Sequence, residues 1–412
     1  MTKRLNKKIV LITSGQPSLN PRLVKEADSL AENGYDVMVI YQYWNDWGTK
    51  MDEGLLVGKR WEAIRVGGST NENPVAYWLS KNLYRARQAI NKLFGGRFLP
   101  AELLIGRCTQ LLAKEASRHL ADLYIAHNLA ALPAAVKAAK KYNTKSGFDA
   151  EDFHRNEVSD DPNNPNVILK STIEDKYLPK VNYVTASSPG IGAAYKRLFH
   201  GTSPVVLLNA FPVDTTIKFN NTTSGGTLRL FWFSQTIGPQ RGIEDIVTAL
   251  TILDNREIEL HLLGFLPSTG KEYLERIGAD KITLQIYPPM PPDAINQFAF
   301  QFDIGLALET GFCLNNDLAL SNKIFTYMQA GLAVIASDTT AQKSLLDEYP
   351  KIGGLYKKGD ATMLANLIRH YFINRAELWH AKKESHAVAC EQLNWEKESG
   401  KFLSLIKEVV PA

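Results

Sequence analysis

Asp303 to Asp338, DIGLALETGFCLNNDLALSNKIFTYMQAGLAVIASD, decides the fold. Asp303 to Leu308 is a compact apolar run that ends at Glu309, and Gly311 to Asn316 has the composition of a loop. Ser321 offers an N-cap oxygen to a helix that Gly331 closes, with Asn322 and Lys323 at its start and Ile324, Phe325 and Met328 on one face. Ala333 to Ala336 reads as a fully buried strand, so the unit is a crossover between two parallel strands. In open α/β sheets ligands bind where such strands end and the next helices begin. Free N–H groups and the positive end of the helix dipole make that turn a site for an anion. Lys323 adds a full charge, and a diphosphate is the guest it suits. The same Ser-Asn-Lys also reads as a plain cap on a solvated turn.

The chain has 412 residues, enough for two cores of roughly 200 residues each. Its composition, 45% hydrophobic and 22% charged without low-complexity tracts or short repeats, is that of a soluble globular protein. Cys108, Cys313 and Cys390 are scattered, lack metal-ligand spacing and make no even disulfide framework; each reads as a small core or loop residue in a reducing compartment. The basic start MTKRLNKKIVLIT carries too short an apolar run for a signal peptide and no small-residue cleavage site. No run approaches the roughly 18 apolar residues that span a bilayer, so a cytoplasmic protein is expected. A net charge of +4 is too small to argue for a nucleic-acid partner. The charge is uneven, however. Between Tyr77 and Arg107 stand Lys81, Arg85, Arg87, Lys92, Arg97 and Arg107 against Glu102 alone, interleaved with Trp78, Tyr84, Phe94 and Phe98. Such a stretch can rest peripherally on an anionic membrane or receive an acidic acceptor, and it also reads as a solvated helix face.

From the start, Lys8 to Thr13 is a strand, Ser14-Gly15-Gln16 a turn, Pro21 to Asn33 a helix stopped by Gly34, and Tyr35 to Tyr41 the next strand. GxGxxG is absent. Gly15 alone either lets a ligand pack against its backbone or serves a tight turn that needs glycine. Asp122 to Ala126 is a strand that leaves His127 at its C-terminal end, where a histidine can hydrogen-bond a sugar hydroxyl or carry a proton. A helix from Ala130 to Tyr142 follows, then GFDAEDF and a strand from Val181 to Ala186. Asp149, Glu151 and Asp152 look like a metal-binding triad, but no metal is expected. Mg²⁺ takes one or two carboxylates plus substrate phosphates, and these acids stand in the other half of the chain from the anion-binding turn. They are read as orienting acceptor hydroxyls or capping local backbone.

Val205 to Leu208 and the turn Asn209 to Pro212 lead into the polar stretch Thr215 to Gly226, the best linker. A second alternation then begins: strand Leu228 to Phe233, loop Ser234 to Arg241, helix Gly242 to Leu253, strand Ile258 to Leu263. Arg241 thereby stands at a helix start, where a guanidinium matches phosphate oxygens, and duplicates the logic of Lys323. Further elements are strand Ile282 to Ile286, helix Ala361 to Phe372, a helical tail from Ala376, and an amphipathic segment from Trp395 to Val410 long enough to return to the first domain. The expected organisation is domains at 1–212 and 227–394, a linker at 213–226, and a C-terminal helix at 395–412 packing on the first domain.

KKIVLITSG, PRLVKEADSLAENGYDV, ADLYIAHN, FDAEDFH, NAFPVD, FSQTIGPQRGIEDIVTAL, LHLLGF and above all LSNKIFTYMQAGLAVIASD together resemble the GT-B glycosyltransferases, and among them the retaining family-4 group, over nearly the whole chain. The resemblance implies two Rossmann-like α/β domains facing across a cleft, the second holding a nucleoside-diphosphate sugar and the first a hydroxyl acceptor (a glycan, a polysaccharide or a lipid-linked precursor), with no metal or other cofactor. It places Arg241 as the diphosphate cation, Ser321, Asn322 and Lys323 as a second diphosphate contact, and Gly15, Thr236 and Gly238 among the donor-binding positions. His127 would touch the donor sugar, and Glu309 would face the sugar hydroxyls as the first acid of a paired-glutamate motif. The chain departs from the family at the second acid, which holds the ribose. Counting back from Gly331 gives Thr326, and counting eight on from Glu309 gives Asp317. An arginine common five positions before Arg241 is Thr236 here. Two other readings fit the same architecture. A nucleotide-sugar 2-epimerase would need acids and a histidine placed for proton abstraction, and a non-catalytic scaffold subunit would keep the fold alone.

Overall fold

The computed structural model describes residues 6–96, 98–214 and 226–411. Arg97 and residues 215–225, most of the expected linker, lie outside the described residues. The chain divides into two compact units, Met1–Leu208 with Ser399–Ala412, and Asn209–Glu398.

The first unit is built on β1 (Lys8–Thr13), β2 (Asp36–Gln42), β3 (Glu62–Val66), β4 (Leu123–His127), β5 (Lys145–Ala150), β6 (Tyr183–Ala186) and β7 (Val205–Val206). They form one parallel sheet in the order β3-β2-β1-β4-β5-β6-β7. A parallel sheet is covered on both faces, which is why Ile9 to Ile12 are apolar without alternation and all closed to solvent. The Pro21–Glu32 helix starts cleanly because Pro21 needs no N–H partner and Asn20 Oδ1 accepts from Leu23 N at 3.0 Å. It sets Leu23, Ala27 and Leu30 against Ile9, Leu11, Val37 and Val39, and Phe402 and Ile406 of the Trp395–Val409 helix enter the same core with Val410, the residue after it.

The second unit repeats the plan with β8 (Leu228–Thr236), β9 (Ile258–Phe265), β10 (Thr283–Tyr287), β11 (Ile304–Ala307), β12 (Ala333–Ser337) and β13 (Gly353–Tyr356), parallel in the order β10-β9-β8-β11-β12-β13. Each sheet therefore reverses its strand order at one strand, β1 in the first and β8 in the second, and such a switch point opens a crevice at the strand C-termini. The crossover read from Asp303 to Asp338 is present as β11, the Asn322–Gln329 helix and β12, with Gly331 at φ +67° after the helix end. One part differs. Residues expected as loop contain a short helix, Leu314–Leu318. Among the described residues no helix is long and apolar enough to cross a membrane.

Candidate functional site

In the second unit, β8 runs on past the expected Phe233 to Thr236 through a register irregularity, and its last turn is fixed by Ile237 N donating to Phe265 O at 2.9 Å. Thr236, Gly238 and Arg241 line one cavity of about 270 Å³ with Pro267, Thr269 and Tyr273. Gly242 ends the loop at φ +73°, and a Cβ there would stand 2.1 Å from the carbonyl oxygen of Leu308. That close approach seats the Ile243–Leu253 helix start directly on the end of β11. Arg241 is exposed and forms no ion pair among the described residues.

One residue beyond Leu308, the Glu309 carboxylate gathers three donors: Lys323 Nζ at 2.5 Å, Ser321 Oγ at 2.9 Å and Asn316 Nδ2 at 3.3 Å. Burial alone would raise its pKa, but the Lys323 charge and the three hydrogen bonds outweigh that and bring it down to about 2. Ser321 does occupy the N-cap position, but its hydroxyl is turned to Glu309, so no side chain caps the Asn322–Gln329 helix as the sequence had implied. A helix start without a side-chain cap keeps its first amides for an incoming acceptor of hydrogen bonds. Asn322 is exposed beside it. The contacts from Gly242 to Leu308 and from Glu309 to Lys323 thus bring both cation-bearing turns to neighbouring strand ends.

The two ribose positions fare differently. Thr326 is 4% exposed, on the inner face of its helix, whereas the Asp317 side chain is 24% exposed. Asp317 accepts from Thr340 Oγ1 at 2.5 Å and Lys358 Nζ at 3.2 Å.

In the first unit Gly15 follows Ser14, whose N–H and hydroxyl both donate to Asn128 Oδ1. The expectation that this turn requires glycine fails, because a Cβ on Gly15 would meet only Thr13 Oγ1, at an ordinary 3.6 Å. His127 is completely closed to solvent at the end of β4. Its Nε2 lies 3.2 Å from Glu26 Oε2, and its Nδ1 lies 3.3 Å from Asp149 Oδ2 and 3.4 Å from Glu151 Oε1. Burial alone would lower its pKa, but Glu26, Asp149 and Glu151 together hold it well above the ordinary value. Asp149 is equally enclosed. It pairs with Arg22 through Nε at 2.6 Å and Nη2 at 2.7 Å and takes Thr185 Oγ1 at 2.5 Å. Its pKa is depressed, Arg22 and His127 outweighing burial. A donor sugar therefore has no access to His127 here, and an acceptor hydroxyl none to Asp149. Glu151 is the member of the group that reaches the surface, with its side chain 25% exposed and held by Asn20 Nδ2 at 2.7 Å.

Sequence reasoning missed Arg22 and Glu26. The signal was present as polar residues 22, 26 and 29 at helical spacing beside the apolar 23, 27 and 30. Glu26, His127 and Asp149 bring ligand atoms within 4.8 Å of one another, as do Asp152, His154 and Glu157. Cations of the chain already stand there: Arg22 bonds Asp149 and lies 3.5 Å from Glu26, and Lys170 pairs with Glu157. A larger cavity of the first unit, about 500 Å³, is lined by Tyr41, Asp52, Arg65, Glu72, Asn73 and Ala76 among others.

No protein-family model and no curated protein matches the sequence. Solved structures do match it, over almost their whole length. HepE of Anabaena in complex with UDP superposes with a TM-score of 0.68 at 14% identity, covering 98% of this chain and 100% of that one. Sucrose-phosphate synthase of Thermosynechococcus elongatus gives 0.68 at 14% identity over 98% and 99%. A S. aureus TarM mutant in complex with fondaparinux, α-GlcNAc-glycerol and UDP gives 0.69 at 10% over 97% and 99%. The fold is GT-B. Identities this low carry the GT-B fold alone, so the roles of Arg241, Lys323 and Glu309 rest on the geometry of this chain.

Proposed function

We propose that this chain is a glycosyltransferase that moves a sugar from a nucleoside-diphosphate sugar to a hydroxyl of a glycan, polysaccharide or lipid-linked acceptor, with retention of anomeric configuration as in the family-4 group. The observation that carries the reading is the meeting of two cation-bearing helix starts in the second unit, joined through Gly242 on Leu308 and Lys323 on Glu309. UDP and UDP-glucose bound in structures of HepE make UDP sugars the first donors to test.

In this reading the second unit binds the donor. The diphosphate lies against Arg241, the Lys323 ammonium and the amides at Asn322, with Ser321 alongside and Thr236 and Gly238 in the cavity wall. Glu309, released from part of its present bonding, faces the sugar hydroxyls, and Asp317 takes the ribose. As the bond from the anomeric carbon to the phosphate oxygen breaks, charge builds on that oxygen. Preorganised donors stabilise it, one such donor typically contributing ~3 kcal/mol. The acceptor oxygen bonds the anomeric carbon on the same face and its proton passes to the departing phosphate. These cations supply the countercharge, so the reading calls for no metal. The first unit receives the acceptor, with Glu151 reaching out from the charge cluster that His127 and Asp149 hold in place. Cytoplasmic location, with peripheral membrane contact through 77–107, belongs to the same reading.

UDP is expected to raise the melting temperature of the protein, since a ligand bound only by the folded state stabilises it. In Arg241→Ala the shift should largely disappear, and turnover of a UDP sugar should fall by about 100-fold while EDTA leaves the parent enzyme's rate unchanged. Equal UDP affinity in Arg241→Ala would remove the basis of the proposal. UDP released only in the presence of an acceptor separates transfer from epimerisation.

A further inference from the structure

The Pro74–Leu93 helix is built with its apolar stripe outward. The face toward the protein is polar and aromatic: Tyr77 and Asn91 are buried, Tyr84 Oη and Gln88 Nε2 donate to Leu104 O at 3.0 and 2.9 Å, and Asn91 Nδ2 donates to Gly96 O at 2.8 Å. On the opposite side Val75 is 68% exposed, Leu79 66%, Leu83 52%, Ile90 41% and Leu93 80%. At 3.6 residues per turn these five fall within an arc of about 80°. An ordinary surface helix turns that stripe to the core. The chain continues the surface with exposed Phe94 and Phe98, stacked at 4.7 Å, while Trp44 and Trp47 are exposed beside Tyr43, which packs edge-on against Tyr77.

The borders of the stripe are cationic. Arg87 stands about 40° beyond it on one side and Arg85 about 80° beyond it on the other, Lys92 and Lys81 follow further round toward the protein-facing side, and residues 74–93 contain no acidic residue. Arg85, Arg87 and Lys92 form no ion pair among the described residues, and Lys81 Nζ lies 4.8 Å from the Trp78 ring centroid. A second copy of the chain meeting this face across a two-fold axis would set like charges together. An anionic bilayer offers hydrocarbon to the stripe, phosphate to its borders, and an interface that suits tryptophan.

We propose that this helix is a membrane-docking surface that inserts its Val75–Leu93 stripe into the headgroup boundary of an anionic bilayer. The proposal deepens the peripheral contact named above and rests on that part of the reading, not on the donor site. Asn73 and Ala76, at the first turn of the helix, also line the cavity of about 500 Å³, so docking holds that cavity at the level of lipid headgroups. The acceptor is then the lipid-linked one of the classes considered.

Flotation of the full chain with vesicles of phosphatidylcholine, alone and mixed equally with phosphatidylglycerol, tests this. Binding to the mixed vesicles is expected, and Leu79→Glu/Leu83→Glu should reduce the bound fraction by about tenfold. Attachment should survive in part at about 1 M salt, where purely electrostatic contacts are screened within about 3 Å. The UDP-induced melting shift, measured on the same variant, should equal that of the parent, showing that the fold is intact. No flotation with the mixed vesicles, equal flotation of the variant, complete release by salt, or a dimer in solution that the variant dissociates would each overturn the proposal. Flotation without any UDP shift would leave docking standing and remove the donor reading.

Discussion

At Gly242 a left-handed φ of +73° coincides with a gap too small for a methyl group, 2.1 Å from Leu308 O. Both requirements fall on the residue that follows Arg241, so the angle at which the guanidinium leaves the loop depends on having no side chain next to it. Gly242→Ala should add ~1–2 kcal/mol of backbone strain and push the loop off β11. Calorimetric titration is expected to show UDP affinity reduced by about tenfold or more, and unchanged affinity would mean that the Gly242 contact does not position the diphosphate site. A different cost attaches to Arg22, which has no exposed atom of consequence yet holds Asp149 through two nitrogens. Arg22→Met leaves that carboxylate buried without its main partner, a loss on the order of 3–5 kcal/mol in denaturant unfolding. The double variant Arg22→Met/Asp149→Leu should lose less than Arg22→Met, because it removes the stranded charge as well.

At the scale of elements, the short 3-10 turn His154–Asn156 after β5 is tied to the Pro165–Tyr177 helix by a chain of charges, His154 Nδ1 to Glu157 at 3.5 Å and Glu157 to Lys170. Burial alone would lower the His154 pKa, but Glu157 outweighs it and pushes it up to about 9, from an ordinary 6.5. Stability from this pair is therefore complete between about pH 4.5, the ordinary value of Glu157, and about pH 6.5, and is lost as pH rises through about 9. Urea midpoints should fall across that rise in the parent protein, and His154→Gln should flatten the fall; parallel profiles would show that the histidine does not carry the dependence. Elements whose pattern is local were legible in the sequence. β1, the crossover from β11 to β12 and the strand end at His127 follow from apolar runs, a cap position and a closing glycine. β13 was not, since Gly353-Gly354 lacks every mark of a strand; its Gly353 is required by Val334 O, 1.7 Å from where a Cβ would sit. The use made of Ser321 was hidden too, because the sequence shows a hydroxyl at a helix start but not the carboxylate at position 309 that claims it. Glu26 and Arg22 went unread for the same reason: their partners are 101 to 127 positions away, at His127 and Asp149.

The whole molecule comprises two units with separate cores, so its unfolding is not expected to be a single two-state event. A nucleotide held by residues 236–323 stabilises only the unit that contains them. At a concentration of about 100 times its dissociation constant it adds about 2.7 kcal/mol to that unit and nothing to the other. Scanning calorimetry should therefore resolve two transitions, of which UDP raises one. Phe402 identifies the other, because its side chain, contributed by the Trp395–Val409 helix, is 1% exposed within the core built on β1. Phe402→Ala is expected to cost about 3–5 kcal/mol there, lowering the transition that UDP leaves in place while the UDP-sensitive one keeps both its temperature and its shift. If UDP moved the transition lowered by Phe402→Ala and not its companion, the nucleotide would be bound by the first unit, and Arg241 and Lys323 would lose their assignment together.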